Sequence, residues 1–138
     1  MAWKDYEQEV FTWFRQKHPG YEILYDRRIR GRHSGVPRQV DVLVRLNAPE
    51  RELLGVFDCK HFGRSVDVKT IDSMIGFLDD VGASYGGVAT NRGFSPAAVN
   101  RAKPCNPAII LSTFTSAEAL VDAFVPSLDF SDNRNSMY

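Results

Sequence analysis

The clearest alternation of apolar and polar positions lies between residues 39 and 61. Val40, Val42 and Val44 recur at every second position, which is typical of a β-strand with one buried face. A second apolar run at residues 54–57 follows a turn-forming stretch that contains Asn, Pro and Glu. The pattern therefore predicts a β-hairpin with the three valines on one face.

The register of this hairpin predicts where its polar side chains meet. If the two leucines nearest the turn pair with each other, Asp41 lies opposite Asp58 and Gln39 lies opposite Lys60. Directly opposed residues on one face of an antiparallel pair are about 4.5–5.5 Å apart. Asp58 and Lys60 share a face because side chains two positions apart in a strand point the same way. Two carboxylates and an amine are thus expected at one end of an otherwise apolar hairpin.

Hydrophobic periodicity predicts the flanking elements as well. Helices are indicated where apolar residues recur every three or four positions, and strands where short apolar runs end at turn residues. Ser65, Ser95 and Thr115 are the predicted helix caps, the last in a capping box with Glu118. The predicted elements are a helix over 3–18, a strand over 21–30, the two hairpin strands, a helix ending at Gly82, a strand over 85–90, a helix from Pro96, a strand over 108–112 and a helix through Phe124. This order, αβββαβαβα, favours an α/β sandwich with a mixed sheet.

Composition is that of one globular domain. The 138 residues are expected to form a single domain over 1–125, followed by a polar tail over 126–138. No apolar run approaches the roughly 20 residues that span a bilayer, and the amphipathic, acidic N-terminus is unlike a signal peptide. Cys59 and Cys105 have no metal-site spacing, so reduced thiols and a cytoplasmic location are expected.

Charge is balanced over the whole chain but uneven along it. The 17 basic and 17 acidic residues give zero net charge, which argues against a protein that simply coats nucleic acid. One segment before the hairpin is nevertheless basic, with Arg27, Arg28, Arg30, Arg32, His33 and Arg38. Such a segment either contacts phosphates or protects an exposed strand edge, and the residues alone favour neither interpretation.

Other common site signatures are missing from the sequence. No glycine-rich phosphate loop follows a predicted strand, and no serine lies in a nucleophile elbow. The three histidines lack metal-ligand spacing, and His18 is predicted to be a surface residue. The hairpin end therefore stays the main candidate for chemistry.

The acidic pattern of the hairpin resembles that of the PD-(D/E)xK nuclease superfamily. Asp41 ends one strand, Asp58-Cys59-Lys60 forms the acidic-x-Lys motif on the next, and Glu7 is supplied by the first helix. More narrowly, YEQEV, RQVDVLV, FDCKH and VATNRGFSPAAVNRA resemble segments of the Mrr-like restriction endonuclease catalytic domain. The similarity extends from about residue 6 to residue 124. Two positions depart from the pattern, since Asp58 replaces the usual Glu or Gln and Val40 replaces the proline before Asp41.

The resemblance implies a fold and an activity. The fold is a restriction-endonuclease-like three-layer α/β/α sandwich around a mixed sheet, and the activity is metal-dependent endonuclease hydrolysis of DNA. Mg²⁺, with Mn²⁺ able to substitute, is expected to be bound by Asp41, Asp58 and the backbone carbonyl of Cys59. Lys60 would orient or deprotonate the attacking water or stabilise charge on the phosphate, and Glu7 would hold a second metal directly or through water. Contacts to DNA are expected from Arg30, Arg32, His33, Arg38, Gln39 and His61.

Two other functions and two kinds of partner stay open. The chain is alternatively a catalytically silent nucleic-acid-binding module of the same fold, or a Holliday-junction resolvase-like nuclease that prefers branched DNA. Cutting both strands calls for two active sites, so a homodimer is expected. A specificity domain or a partner subunit outside this chain would supply sequence preference.

Overall fold

A five-stranded sheet forms the centre of the protein. The computed structural model describes residues 3–47, 49–61 and 63–114. In chain order these residues form α1 (Trp3–Lys17), β1 (Glu22–Arg30), β2 (Pro37–Asn47), β3 (Glu52–Lys60), α2 (Val68–Val81), β4 (Tyr85–Thr90), α3 (Pro96–Ala102) and β5 (Ile109–Thr113). The predicted order is confirmed over this range. The predicted C-terminal helix, its capping box and the predicted tail over 126–138 lie outside the described residues.

The strands are arranged in sequence order, from β1 at one edge to β5 at the other. β1, β2 and β3 pair antiparallel, whereas β3, β4 and β5 pair parallel. Parallel neighbours need a crossover connection, which α2 and α3 provide. The sheet is therefore mixed, as the sequence predicts.

Helices cover both faces of the sheet. On one face α1 contributes to a cluster that we call the α1-side core, which includes Tyr6, Val10, Phe14, Val42, Val44 and Phe57. On the other face α2 and α3 contribute to the α2-side core, which includes Val40, Leu43, Val56, Ile71, Leu78 and Ala98. This arrangement confirms the predicted three-layer α/β/α sandwich.

Two glycines in β4 allow the layers to approach the sheet closely. A Cβ on Gly87 would lie 2.5 Å from the ring of Phe57, and one on Gly86 would lie 2.5 Å from the side chain of Leu78. Side chains at these two positions would push away residues that belong to both cores. The glycines thus keep β3 and β4 central and tightly covered.

Two local predictions were wrong. The cap of α2 is Asp67, whose side chain accepts a hydrogen bond from the backbone N–H of Thr70, and not Ser65. His18 is buried, with its ring against Trp13, Phe14 and Tyr21, although a surface position was predicted. Burial and the neighbouring Lys17 both lower the pKa of His18. The imidazole is an aromatic part of the core at the end of α1.

None of the described helices is long and apolar enough to span a bilayer.

Candidate active site

The hairpin ladder ends at the two aspartates. The predicted register is confirmed from Asn47–Glu52 up to Val42–Phe57, and the paired residues stop there. At the next position the Asp41 carboxylate replaces a backbone acceptor, because its Oδ2 accepts a hydrogen bond from the backbone N–H of Cys59 at 2.8 Å. The Asp58 carboxyl group lies close enough to raise the pKa of Asp41 through a hydrogen bond and through its charge. The predicted meeting of these two aspartates is therefore present, at the point where β2 and β3 separate.

Asp41 also marks a reversal of side-chain direction in β2. Val42 and Val44 lie in the α1-side core, whereas Val40 lies in the α2-side core. The prediction that all three valines share one face was therefore wrong for Val40. A strict period of two cannot continue through Asp41, because side chains two positions apart would otherwise share a face.

The surroundings of Asp41 are acidic. Burial, the hydrogen bond with Asp58 and the nearby charge of Asp58 together raise the pKa of Asp41 to about 8, and the charge of Glu7 acts in the same direction. The hydrogen bond from the Cys59 N–H opposes this rise. Lys60 supplies positive charge at the same place, with its Nζ 3.1 Å from an Asp58 oxygen. The site thus holds three carboxyl groups beside one amine.

Glu7 reaches this site from α1. It is fully buried, and the Tyr25 hydroxyl donates a 3.4 Å hydrogen bond to its Oε1. A glutamate on an amphipathic helix is usually solvent-facing, so helical periodicity alone gave no reason to select it. The structure brings together Glu7, Asp41, Asp58 and Lys60, the four residues that the family resemblance selected.

A cavity of about 190 Å³ opens beside the aspartates. Its polar wall includes Asp41 and Asp58, and α2 closes the opposite side with Ser73 and Phe77. The α2 residues were not predicted, because nothing in a helical periodicity tells which strand end its residues face. The cavity gives water and a small polar group direct access to both carboxyl groups.

The aspartate pair suits a divalent cation. Within 3–47, 49–61 and 63–114, no group of three or more His, Cys, Asp or Glu side chains is arranged to hold a metal ion. Asp41 and Asp58 nevertheless provide hard carboxylate oxygens, the ligands that Mg²⁺ prefers. Burial is the largest cause of the raised pKa of Asp41, and the nearby charge of Asp58 adds to it, so a bound cation would stabilise the ionised pair. The residues present therefore fit the metal that the resemblance implies.

Three residues that were predicted to contact DNA have partners in α2. The buried carboxylate of Asp80 accepts hydrogen bonds from the N–H groups of His33 and Ser34, from the Ser34 hydroxyl and from Arg38. We call this set the Asp80 clamp. The Ser34 hydrogen bonds are the largest cause that holds the pKa of Asp80 well below its usual range. Arg32 and His33 also lie 3.3 and 3.5 Å from the Asp79 carboxylate. The clamp joins residues more than 40 positions apart, and no pattern in the sequence predicted it.

The remaining predicted contacts have mixed environments. Gln39 pairs with Arg28 of β1 and donates its side-chain amide to Asp26, and the β2–β3 ladder contains no pair between Gln39 and Lys60. The β2–β3 ladder ends before that position, which removes the basis for the predicted pair. Arg30 is exposed, and the ring of His61 is half-buried with its centroid 5.0 Å from that of Tyr6.

Comparison with known families agrees with this geometry. The family model Mrr_cat, described as a restriction endonuclease, matches residues 1–122. The chain belongs to this family. A comparison with curated proteins found no match.

Two solved structures are similar to this chain. One, named "Protein of Unknown Function AF1548", is 19% identical with a TM-score of 0.62, over 80% of this chain and 58% of that one. The other, the "DNA modification-dependent restriction endonuclease AspBHI", is 16% identical with a TM-score of 0.48, over 83% of this chain and 33% of that one. This Mrr-like chain thus spans little more than half of the first protein and a third of the second.

Proposed function

We propose that this Mrr-like domain is a metal-dependent endonuclease that hydrolyses DNA phosphodiester bonds. The observation that carries the proposal is the convergence of Asp41, Asp58, Lys60 and Glu7 at the separated ends of β2 and β3. Membership of the restriction endonuclease family supports the same reaction. An ordinary surface ion pair between Asp58 and Lys60 explains neither the burial of Glu7 nor the crowding around Asp41.

Each of these residues has a distinct proposed role. Asp41 and Asp58 hold Mg²⁺ or Mn²⁺, together with the backbone carbonyl of Cys59, and the ion supplies electrostatic stabilisation of charge on the phosphate. Lys60, held by Asp58, donates to the attacking water or to the phosphate. The charge of Glu7 acts on Asp41 and would strengthen cation binding. Tyr25 orients Glu7 through its hydroxyl.

DNA contacts are proposed from the arginines of β1 that are not engaged by α2. Arg27, Arg28 and Arg30 are exposed, and the ion pairs found in the described part of the chain do not include them. Arg28 is paired with Gln39, which lines the cavity. Arg30, Gln39 and His61 keep their predicted role, whereas Arg32, His33 and Arg38 act mainly in holding the β1–β2 loop.

The cleavage test uses supercoiled plasmid with Mg²⁺ or Mn²⁺. We expect nicking by the wild-type protein that EDTA stops and that Lys60→Ala removes. Lys103→Ala is the matched control, since Lys103 is exposed at the end of α3 and makes no contact with the aspartates. Absence of cleavage on plasmid, linear, single-stranded and branched DNA, by protein that still binds DNA, would favour a silent binding module. Preferential cutting of branched DNA would favour a resolvase-like nuclease.

The DNA-contact assignment is tested separately from catalysis. Binding of a labelled duplex in Ca²⁺ is measured at several salt concentrations for Arg28→Ala and Arg30→Ala. Each loss of a phosphate contact is expected to reduce the slope of log affinity against log salt by about 1. Arg32→Ala is expected to change the slope less, because Asp79 already engages that guanidinium. Equal slopes for all three variants would contradict the assignment.

A homodimer and a separate specificity element complete the proposal. Double-strand cleavage needs two such sites, and light scattering of the protein with and without duplex DNA tests for the dimer. We propose that sequence preference comes from a specificity domain or a partner subunit outside this chain. Cleavage by the domain alone at unrelated sequences is the expected result.

A further inference from the structure

Asp26 of β1 has an unusual backbone conformation beside the site. Its φ is +54°, and it is the one non-glycine residue with positive φ among the residues described. Its ladder partner would be Asp41, because the β1–β2 register pairs Tyr25 with Val42 and Arg27 with Val40. The pair between them is missing from the ladder. The distortion is thus located directly opposite the half-buried Asp41.

Both strands reverse their facing at this point. In β1, Ile23 belongs to the α1-side core and Ile29 packs against the α2-side core, although an even number of positions separates them. In β2, the same exchange occurs between Val42 and Val40. The register is the same before and after, so no residue is inserted. The left-handed Asp26 lies at the point where both strands reverse.

The reversal explains how Asp41 reaches its neighbours. In a regular strand Asp41 would project to the same face as Leu43, which lies in the α2-side core. At the reversal its carboxylate reaches across to the Cys59 N–H in β3 and still meets Asp58. Glu7 belongs to α1, in the other helical layer, and its charge acts on Asp41 as well. Asp41 therefore lies between the layers, where both can contribute to one site.

We propose that Asp26 is a positioning residue, whose left-handed backbone turns β1 and β2 over and so places the Asp41 carboxylate. Gln39 stabilises this conformation by donating its side-chain amide to the Asp26 carboxylate. The role assigned to Asp41 rests on the proposed nuclease function, but the placement of Asp41 does not. No sequence pattern predicted a role for Asp26, because an aspartate in a strand is ordinarily a solvent-facing polar residue.

The test compares substitutions of Asp26 that differ in how readily they adopt a positive φ. Asn and Gly adopt positive φ readily, whereas a β-branched residue does so at considerable cost. Asp26→Asn and Asp26→Gly are expected to retain cleavage within a few-fold of wild type. Asp26→Val is expected to lose about 100-fold in cleavage rate, since a misplacement of about 1 Å has an effect of that size. Calorimetric affinity for Mn²⁺ without DNA is expected to fall in the Val variant alone.

A second measurement separates misplacement from unfolding. The amide of Cys59 donates to Asp41, so its NMR shift and hydrogen exchange report on the position of that carboxylate without any activity. We expect the Cys59 amide to change in Asp26→Val while the amides of β4 keep their protection. If the Val variant does not fold, Asp26→Ala provides the same comparison with a smaller side chain.

The outcomes distinguish this inference from the proposed function. Equal loss in the Gly, Asn and Val variants would overturn it, because the carboxylate and not the backbone would then matter. An unchanged Cys59 amide and full activity in the Val variant would overturn it as well. If the wild-type protein neither binds Mn²⁺ nor cleaves DNA, the proposed function fails, and the Cys59 amide still decides the role of Asp26.

Discussion

Asp41 and Asp80 are both withdrawn from bulk solvent, and their surroundings are opposite. Asp80 accepts hydrogen bonds from two backbone N–H groups, one hydroxyl and one guanidinium, and its pKa is lowered. Asp41 accepts one from the Cys59 N–H, but it also faces Asp58 and Glu7, and its pKa is raised to about 8. One carboxylate is surrounded by donors and the other by acids.

The difference is the one expected between a structural aspartate and the functional one that we propose Asp41 to be. A carboxylate that every neighbour stabilises needs no ligand, and it can serve as an anchor between a loop and a helix. A carboxylate that its neighbours destabilise is in a state that a cation would relieve. Perturbed groups of the second kind, in a cavity, mark functional sites more often than groups of the first kind. Burial alone does not distinguish the two.

Cleavage should separate the two aspartates most strongly. Asp41→Asn is expected to reduce metal-dependent plasmid cleavage by at least about 100-fold, since it removes the charge of a residue proposed to hold the metal. Its far-UV circular dichroism should match that of the wild type, because Asn retains the hydrogen bond from Cys59. Wild-type cleavage by this variant would remove Asp41 from the site.

In thermal unfolding, by contrast, substitution of Asp80 should have a larger effect than substitution of Asp41. Asp80→Ala leaves the donors of the clamp without their acceptor, so its unfolding midpoint is expected to fall well below that of the wild type. Asp79→Ala is the matched control on the adjacent, exposed position. Any residual Asp80→Ala protein that folds should retain metal-dependent cleavage. Equal midpoints for the two variants would show that the clamp contributes little.

Metal binding should stabilise the protein through Asp41. At 100 times its dissociation constant, a ligand specific for the folded state contributes about 2.7 kcal/mol. We expect Mg²⁺ or Mn²⁺ at pH 8 to raise the unfolding midpoint of the wild type and not that of Asp41→Asn. Asp80→Asn, if folded, should keep the metal response. A metal response in Asp41→Asn equal to that of the wild type would locate the cation elsewhere.

The same contrast predicts opposite dependences on pH. The folded-state pKa of Asp41, about 8, lies above its ordinary value of 3.8, so the metal-free folded protein binds an extra proton between these values. Its stability should therefore fall as pH rises from about 4 to 8, by up to about 1.4 kcal/mol per pH unit. The lowered pKa of Asp80 acts in the acid range, where stability should fall as pH decreases below about 4.

Urea unfolding across pH in EDTA measures both effects. The decline toward pH 8 is expected to disappear in Asp41→Asn, which should then be more stable than the wild type at that pH. The acid decline should remain in that variant because Asp80 is unchanged. A wild-type profile that is flat between pH 5 and 8 would contradict the acidic surroundings inferred for Asp41.

The sequence predicted the surroundings of Asp41 far better than those of Asp80. Period-two alternation and turn residues were sufficient for the hairpin, and its register followed from pairing the two leucines beside the turn. The approach of Asp41 to Asp58 is a short-range consequence of that register. The aspartate motif also resembles that of a known family. That resemblance selected Glu7, which helical periodicity alone did not.

Other features depend on contacts that periodicity does not encode. The Asp80 clamp forms because the end of α2 meets the β1–β2 loop, a contact between residues far apart in the chain. Val40 changes face next to the position where the left-handed Asp26 lies in the neighbouring strand, and periodicity does not encode that backbone angle. Arg32, His33 and Arg38 were predicted to contact DNA from their charges alone, and their contacts with Asp79 and Asp80 could not be predicted from periodicity.

The exposed pair beside the clamp should have the smallest effect. Arg32 and Asp79 lie 3.3 Å apart with side chains that are 59% and 68% exposed, and such pairs contribute about 0–1 kcal/mol. Asp79→Asn is therefore expected to lower the free energy of unfolding by less than about 1 kcal/mol, and high salt should reduce the difference further. Urea unfolding at low and high salt measures it. A loss as large as that of Asp80→Ala would mean that the loop is held by surface charge and not by the buried carboxylate, and the contrast between anchor and active site would then rest on Asp41 alone.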